Sequence, residues 1–352
     1  MQSAINRISS KGNFMRVIQV GIGDWGVNWA LTVVPQVAGI EIVAFVNRQP
    51  SKVAEAASRL NVLPSLFFRS ISEAAAATGA EAALVLTTTD AHPDLVTEAL
   101  QIGLHVLVEK PFTYELSDAR RLTEIAREAR RVLMVNQNFR YYPAAVRARE
   151  IVRKQELGLL GDVRVDFRRR ITFESEARAR WHQTMVQPLL LDMGIHHFDL
   201  MRMIIGAEPT HVDALASSPI WSKYSDPASA SALIRFANGV VVNWSGSWIT
   251  RAPETTFSGD WRMEFENGCV DWCSRGDRDV SLNGERLQVR RGETSTEEEL
   301  ATRDLFGRAA VLADFQAAVV SGQCEDFFPS AEDNVKSLEL AHLVLQSAMK
   351  KI

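Results

Sequence analysis

Residues 17–26, which read VIQVGIGDWG, decide the fold of this chain. A short apolar run enters a glycine cluster, and helix-like sequence follows to about residue 38. After a strand and before a helix, such glycines allow a tight turn, the approach of a pyrophosphate to the backbone and close helix–strand packing. The stretch therefore predicts a dinucleotide-binding turn; the alternative is a glycine-rich turn without a ligand. The predicted contacts in this turn are Gly21, Gly23, Asp24, Trp25 and Gly26.

Beyond this turn, the first 140 residues alternate strand-length apolar runs with helix-like segments. The predicted strands are 17–20, 41–46, 82–86, 105–108 and 132–135, and further helices are predicted at 52–60, 93–102 and 117–130. Near-continuous apolar strands separated by helices indicate a parallel sheet that is buried on both faces. We therefore predict an α/β fold with a doubly wound parallel sheet in residues 1–140, of which residues 1–14 form a loose polar leader.

The pattern changes after Tyr142-Pro143, where longer β-type stretches appear. Strands are predicted at 163–173, 211–216, 230–236, 240–248 and 257–265, and helices at 144–155, 192–205, 305–320 and 331–349. Asn238-Gly239 and Asn267-Gly268 are strong hairpin signals, because both residue types tolerate positive φ. We expect residues 141–352 to form a second α/β domain with a largely antiparallel sheet, with the last helix packing back.

Composition excludes several classes of protein. The 352 residues are 46% hydrophobic and 23% charged, which argues against a disordered or fibrous chain. With 39 basic and 43 acidic residues the net charge is −4, so nucleic acid is a poor partner. The three cysteines lack CxxC spacing, so no metal site is expected and a reducing compartment is indicated. No apolar run approaches the ~18 residues that cross a bilayer, and no signal peptide is recognisable. We expect a cytoplasmic protein that does not bind membranes.

Asn47-Arg48 stands at the end of the second predicted strand, where NAD-binding sites usually place an acid. Asn47 lacks the charge that would repel a 2′-phosphate, and Arg48 can pair with that phosphate or stack on adenine. The pair slightly favours NADP over NAD. If Arg48 is an ordinary exposed arginine, NAD still binds.

Glu109-Lys110-Pro111 follows the predicted strand 105–108. It lies at the carboxyl end of a strand, where open parallel sheets bind their ligands. Proline keeps the lysine backbone away from the helical region. Taken alone, the triplet is equally consistent with a surface turn that contains a salt bridge.

A second constellation lies in the predicted helix 192–205. Asp192, His196 and Asp199 are spaced i, i+4 and i+7, so they share one helix face. An imidazole held by a carboxylate makes a general base that works near neutral pH. In isolation, Asp192 is equally well an N-cap, and His196 a satisfied core histidine.

Together these motifs resemble the glucose–fructose oxidoreductase/inositol dehydrogenase (Gfo/Idh/MocA) family over almost the whole chain. The residues that carry the resemblance are the glycine turn, His92, Glu109-Lys110-Pro111, Asn138-Phe139-Arg140 and Asp192-x-Gly194-x-His196. The resemblance implies a Rossmann domain, a second domain whose open sheet often makes homodimer or homotetramer contacts, and NAD(P)-dependent chemistry at a carbinol carbon of a sugar or polyol. It also implies that Lys110, Asp192 and His196 are catalytic, and that the bond before Pro111 is often cis.

Further contacts are predicted for the cofactor and for the substrate. For the cofactor they are Thr87, His92, Glu109 and Lys110, and for the substrate Lys110, Arg140, Trp181, Asp192 and His196. Residues 87–89 and 187–191 depart from the usual family pattern, so no particular sugar is implied. Arginines 168–170 could attract an anionic substrate, although a solvated strand edge is the simpler interpretation. Trp244 and Trp248 could stack on a sugar, although packing beneath an oligomer interface is the commoner use of such residues.

Two other functions compete with an oxidoreductase. A cofactor-sensing regulator on the same fold would tend to lose the catalytic residues, which this chain keeps. A glycoside hydrolase with tightly held NAD⁺ would produce no net NADH.

Overall fold

The computed structural model describes residues 14–47, 49–171, 175–276 and 282–350. They form two compact units. The first contains the described residues up to Asn136 and then Arg308–Val335; the second contains Gln137–Gly307 and the described residues from Lys336 onward. The chain therefore leaves the first unit after β6, defined below, and returns to it near residue 308.

Short parallel strands and longer antiparallel strands divide between the two units. The strands are β1 (Met15–Val20), β2 (Ile40–Val46), β3 (Phe67–Phe68), β4 (Ala82–Val85), β5 (His105–Val108), β6 (Leu133–Val135), β7 (Leu160–Arg168), β8 (Pro209–Ser217), β9 (Ser229–Phe236), β10 (Val241–Ser247), β11 (Asp260–Phe265), β12 (Gly268–Cys273), β13 (Arg286–Arg291) and β14 (Thr294–Glu297). The helices are α1 (Asp24–Asn28), α2 (Pro50–Leu60), α3 (Ile71–Thr78), α4 (His92–Gln101), α5 (Leu116–Ala129), α6 (Pro143–Arg153), α7 (Glu176–Thr184), α8 (Gly194–Ile205), α9 (Gly307–Ser321) and α10 (Ala331–Met349).

The first unit is built on a six-stranded sheet in the order β3-β2-β1-β4-β5-β6, in which all neighbours are parallel. β1, β4 and β5 are almost wholly buried, as expected of strands covered on both faces. The strand order reverses between β1 and β4. Open α/β sheets bind ligands at the carboxyl ends of the strands at such a switch point. The predicted doubly wound sheet is confirmed.

The second unit contains an eight-stranded sheet in the order β14-β13-β12-β11-β7-β10-β9-β8. All its neighbours are antiparallel except β7 and β10, so the prediction of a largely antiparallel sheet is confirmed. Both hairpin predictions are correct, and Gly239 supplies the positive φ (+91°) in the turn between β9 and β10.

Several predicted elements differ from the observed ones. The helix expected up to residue 38 is α1 followed by a π-helical turn (Trp29–Val33) and a 3₁₀ turn (Val34–Gln36). β7 ends at Arg168, five residues earlier than predicted. β3 and α3 were not predicted, because a two-residue strand and an alanine-rich helix show little hydrophobic periodicity. Among the described residues, no helix is both long and apolar enough to cross a bilayer.

Candidate dinucleotide and catalytic site

The glycine turn follows β1 at the switch point of the parallel sheet. Gly21 has φ +103°, and a Cβ there would lie 2.7 Å from the carbonyl oxygen of Leu86. A Cβ on Gly26 would lie 2.2 Å from the carbonyl oxygen of Gly21. By contrast, no described atom lies within 4 Å of the Cβ position of Gly23. The first and third glycines are therefore required by close packing, whereas the second exposes backbone to open space, as a pyrophosphate site needs.

Gln19 holds this turn in place. It is fully buried in β1, and its Nε2 donates to the carbonyl oxygens of Gly21 (3.1 Å) and Gly26 (2.9 Å). Gln19 was not among the predicted site residues. The sequence contains one indication of its role, a polar side chain within an otherwise apolar strand. A buried amide at such a position needs hydrogen-bond partners.

The loop after β2 carries the residues predicted to read the adenosine ribose. Asn47 Oδ1 accepts a hydrogen bond from the Gln49 amide at 2.7 Å, which closes a local turn. Arg48 lies outside the described residues, so its predicted contact with a 2′-phosphate stays a prediction. Asp24 puts a negative charge in the first turn of α1, and its carboxylate lies 2.9 Å from Nη1 of Arg59. This exposed pair offsets some of the repulsion that Asp24 would exert on a phosphate.

Thr87 and His92 line the carboxyl end of β4. The Cγ2 of Thr87 lies 3.2 Å from the Cβ position of Gly21, and its Oγ1 is buried with no hydrogen-bond partner in the described part of the chain. An orphaned hydroxyl beside the glycine turn fits a ligand that completes its hydrogen bonding. Together with the open backbone at Gly23, it shows that these residues fit a bound dinucleotide.

His92 joins the loops that follow β4 and β5. It is fully buried, with Nδ1 3.1 Å from the carbonyl oxygens of Pro111 and Phe112 and Nε2 3.2 Å from that of Thr87. Burial lowers the pKa of His92, although the backbone carbonyls of Phe112 and Thr87 oppose this effect. The close contacts on both ring nitrogens place His92 between the Pro111–Phe112 segment and the end of β4.

Glu109 accepts several hydrogen bonds at the carboxyl end of β5. Its Oε1 accepts from the indole nitrogens of Trp25 (2.6 Å) and Trp29 (2.9 Å) and from Nδ2 of Asn136 (2.9 Å). Its Oε2 accepts from the Lys110 amide at 3.1 Å. Because Glu109 is buried, the alternative of a surface turn with an exposed salt bridge is wrong. The carboxylate ties the glycine turn to the end of β5.

Two further features complete the site in the first unit. Arg308, at the start of α9, lies with Cζ 4.2 Å from the ring centroid of Trp25 and 5.6 Å from that of Trp29. No local pattern could have shown this contact, because it joins residues almost 300 positions apart. The Lys110–Pro111 peptide bond is cis, as the resemblance predicted. Lys110 is half-buried at the carboxyl end of β5.

In the second unit, His196 is held from two directions. Its Nδ1 lies 3.0 Å from Oε1 of Gln137, and its ring stacks on Phe139 with centroids 4.0 Å apart and an interplanar angle of 4°. Only 3% of His196 is exposed. Gln137 was not among the predicted site residues, because an isolated glutamine after a strand has no motif.

Asp192 does not begin a regular helix, contrary to the prediction. It lies in a π-helical turn, Pro188–Met193, and α8 starts only at Gly194. The assumed α-helical i, i+4 relation to His196 is therefore interrupted by the wider turn. Asp192 is half-buried.

Asp199 lies with His196 in α8, but its carboxylate is bonded to other groups. Its two carboxylate oxygens accept from Nε and Nη2 of Arg140, both at 2.6 Å, and Oδ1 also accepts from Ser337 at 2.7 Å. Both members of the ion pair are buried. Arg140 fixes the 3₁₀ turn Asn138–Tyr141 to α8, and its contact with a substrate stays a prediction.

The tryptophans considered as substrate contacts have different environments. Trp181 is 56% exposed on α7. Trp244 and Trp248 are buried, and their indole nitrogens donate to Nδ1 of His197 (3.2 Å) and the carbonyl oxygen of Pro188 (2.9 Å), respectively. Burial leaves neither of these two rings a face for a sugar.

Two stretches of the chain match models of one protein family. Residues 15–137 match the model of the Gfo/Idh/MocA oxidoreductase family with an NAD-binding Rossmann fold, and residues 145–268 match the C-terminal domain of the same family. The chain belongs to the Gfo/Idh/MocA family. It is thus an oxidoreductase-family protein with an NAD-binding Rossmann domain.

Individual relatives of this Gfo/Idh/MocA protein are distant. It is 25% identical to inositol 2-dehydrogenase of Rhizobium meliloti (strain 1021), over 80% of this chain and 83% of the relative. It is 27% identical to UDP-N-acetylglucosamine 3-dehydrogenase of Acidithiobacillus ferrooxidans, over 68% and 71%. An oxidoreductase from Agrobacterium radiobacter, solved with NAD⁺, L-tartaric acid and magnesium, shares the fold with a TM-score of 0.81 at 20% identity, over 96% of this chain and 97% of the other.

Proposed function

We propose that this protein is an NAD(P)-dependent dehydrogenase or reductase that acts on a carbinol or carbonyl carbon of a sugar, polyol or related small molecule. Membership of the family and the relatives that act on inositol and a sugar nucleotide support this substrate class. One observation carries the chemistry. His196 is a buried imidazole whose Nδ1 is engaged by Gln137 and whose ring plane is set by Phe139. A general base must be oriented in this way.

The bound dinucleotide would supply the hydride acceptor or donor. The glycine turn would hold its pyrophosphate, with backbone approach at Gly23 and close packing at Gly26. Asn47 and Arg48 still predict a slight preference for NADP. Titration of the protein with NADH and NADPH tests this preference, and Arg48→Ala should weaken the binding of NADPH much more than that of NADH.

The protein's own side chains would manage the proton. During oxidation His196 takes the proton of the substrate hydroxyl, and Lys110 donates a hydrogen bond to the same oxygen and stabilises its developing negative charge. Asp192 orients the substrate or the imidazole. In the reductive direction His196 or Lys110 returns the proton to the carbonyl oxygen.

Two substitutions test these roles. His196→Ala and Lys110→Ala should each lower turnover at least ~100-fold, the usual scale for a lost proton-transfer or oxyanion group. The assay is a spectrophotometric screen of sugars, inositols and sugar acids with NAD⁺ and NADP⁺. His211→Ala is the matched control, because His211 is exposed on β8 and pairs with Asp213 there. Rates near wild type in both site variants would exclude the mechanism.

The screen also separates this proposal from its rivals. A regulatory protein would bind the dinucleotide without an absorbance change for any substrate. A glycoside hydrolase would retain its dinucleotide through purification and form no net NADH. A homodimeric or homotetrameric assembly and a cytoplasmic location stay predictions, which light scattering and cell fractionation test.

A further inference from the structure

His196 and His197 are neighbours in the sequence, yet the structure gives their rings different surroundings. Trp244 Nε1, which can only donate, lies 3.2 Å from Nδ1 of His197, and Nε2 of His197 lies 3.0 Å from the carbonyl oxygen of Phe257. His197 must therefore carry its proton on Nε2. For His196 the group opposite Nδ1 is the carbonyl oxygen Oε1 of Gln137, at 3.0 Å, which can only accept.

We propose that Gln137 is a positioning residue that fixes His196 in the tautomer with its proton on Nδ1, so that Nε2 carries the basic lone pair. This inference rests on the proposed function in two ways: the need for a base at Nε2 favours the observed orientation of Gln137, and Nε2 is the atom that takes the proton of the substrate hydroxyl. That proton would move from the hydroxyl oxygen to Nε2, and a dinucleotide held at the glycine turn would supply the acceptor for the hydride of the same carbon. The tautomer itself is a property of the protein without substrate.

The ring plane is fixed by a ladder of stacked groups, defined here as Arg169, Phe257, Arg275, Phe139 and His196. Arg169 Cζ lies 4.0 Å from the Phe257 centroid, and Arg275 Cζ lies 5.2 Å from the Phe257 centroid and 4.7 Å from that of Phe139. Phe139 then stacks on His196. The ladder keeps the imidazole from tilting. Nδ1 of His196 therefore stays opposite Oε1 of Gln137.

The amide orientation of Gln137 decides the tautomer. Gln137 is fully buried, and its Nε2 has no hydrogen-bond partner among the residues that the structure describes. Turning the amide over would place Oε1 where Nε2 now lies without a partner, and would present an N–H to Nδ1 of His196. Each orientation leaves one polar atom unpaired, so the count of hydrogen bonds does not choose between them. The need for a base at Nε2 favours the observed orientation.

The test is a spectroscopic measurement on the full chain. Histidines are labelled with ¹⁵N, and two-bond ¹H–¹⁵N correlation spectra report which ring nitrogen carries the proton. His196→Gln assigns the His196 signals among the seven histidines, and His197, with its proton on Nε2, is an internal reference. We expect His196 to carry its proton on Nδ1. A proton on Nε2 of His196 in the wild-type protein would overturn the proposal.

Two variants at position 137 complete the experiment. Gln137→Met keeps the length of the side chain but removes the acceptor, so the His196 proton should redistribute towards Nε2. Gln137→Glu keeps an acceptor and should retain the Nδ1–H pattern, which provides a result even if Gln137→Met does not fold. An unchanged pattern in a folded Gln137→Met protein, or loss of Nδ1–H in Gln137→Glu, would contradict the inference.

Turnover gives a separate readout. Gln137→Met should lower kcat at least ~10-fold with little change in KM, because a misplaced proton impairs the base rather than substrate binding. Gln137→Glu should restore part of kcat. If His196→Ala retains full turnover while the spectra show Nδ1–H, the proposed function fails and the tautomer assignment stands.

Discussion

Arg140 and Asp199 form a buried, two-pronged ion pair in which Nε and Nη2 each lie 2.6 Å from a carboxylate oxygen. Neither side chain is more than 3% exposed. Removing one partner would leave an uncompensated buried charge. We therefore expect Asp199→Ala to destabilise the protein by about 3–5 kcal/mol. Urea unfolding followed by tryptophan fluorescence measures this loss.

The matched control is an exposed ion pair of the same type. Asp118 lies 2.9 Å from Nη2 of Arg121 on α5, where both side chains are solvent-accessible. Asp118→Ala should cost only about 0–1 kcal/mol. The double variant Arg140→Met/Asp199→Leu should recover much of the loss, because no lone charge remains buried. Equal effects of Asp199→Ala and Asp118→Ala would contradict the structural role assigned to the pair.

This pair also shows where sequence reasoning ends. The spacing of Asp192, His196 and Asp199 correctly placed His196 and Asp199 in one helix, but it could not show that Asp199 faces an arginine 59 positions away. Nor could it reveal the π-helical turn that precedes α8. Periodicity reports which residues share a face, whereas partners across the fold depend on tertiary packing.

A second prediction concerns the two glycines with opposite surroundings. Gly23→Ala should fold as well as the wild type, because its φ of −66° suits alanine and no described atom lies within 4 Å of the new methyl group. It should nevertheless raise the dissociation constant for NADH at least ~10-fold, since the methyl group occupies the space that a pyrophosphate needs. Fluorescence titration with NADH measures the affinity.

Gly26→Ala should behave differently. Its Cβ would lie 2.2 Å from the carbonyl oxygen of Gly21, so backbone must move, and we expect a loss of about 1–3 kcal/mol in the free energy of unfolding. Tight NADH binding by a folded Gly23→Ala protein would show that the pyrophosphate does not approach this residue.

A third prediction addresses the carboxylate that anchors the glycine turn. Glu109→Gln keeps an oxygen for Trp25, Trp29 and Asn136 but turns an amide N–H towards the Lys110 amide, which also donates. We expect a loss of about 1–3 kcal/mol in stability, together with weaker NADH binding. The control Glu73→Gln changes an exposed carboxylate that accepts from the Arg69 amide and should be nearly neutral. Unaltered stability and affinity in Glu109→Gln would exclude the anchoring role.

The first unit was the more predictable half of the candidate site. The glycine turn and the Glu109-Lys110-Pro111 triplet have sequence signatures because backbone geometry demands particular residues there. Gln19 and Arg308 have none, since each acts through contacts that only the folded chain creates. The return of α9 to the first unit is likewise invisible to local patterns, because its sequence encodes an apolar helix but not the unit on which the helix packs.

The last prediction concerns stability in acid and follows from His197. Burial lowers the pKa of His197 from its usual 6.5 to about 4, and the bond to the Phe257 carbonyl only partly opposes this effect. Between these values the unfolded chain binds a proton that the folded protein does not. The contribution of His197 to the free energy of unfolding is therefore fully present above pH 6.5. As the pH falls towards 4, the protein loses this contribution of about 3 kcal/mol.

Burial also lowers the pKa of His92 and of His105, so several histidines contribute to the acid sensitivity of the wild-type protein in the same direction. His197→Gln removes one titrating group and should flatten the dependence of the urea midpoint on pH between 6.5 and 4, even though the loss of packing lowers the midpoint itself. The slope, not the absolute stability, is therefore the quantity to compare. His211→Gln, a change at an exposed position, should leave the slope as it is in the wild type. If His197→Gln kept the wild-type slope, His197 would not be the neutral, buried imidazole that its contacts with Trp244 and Phe257 require.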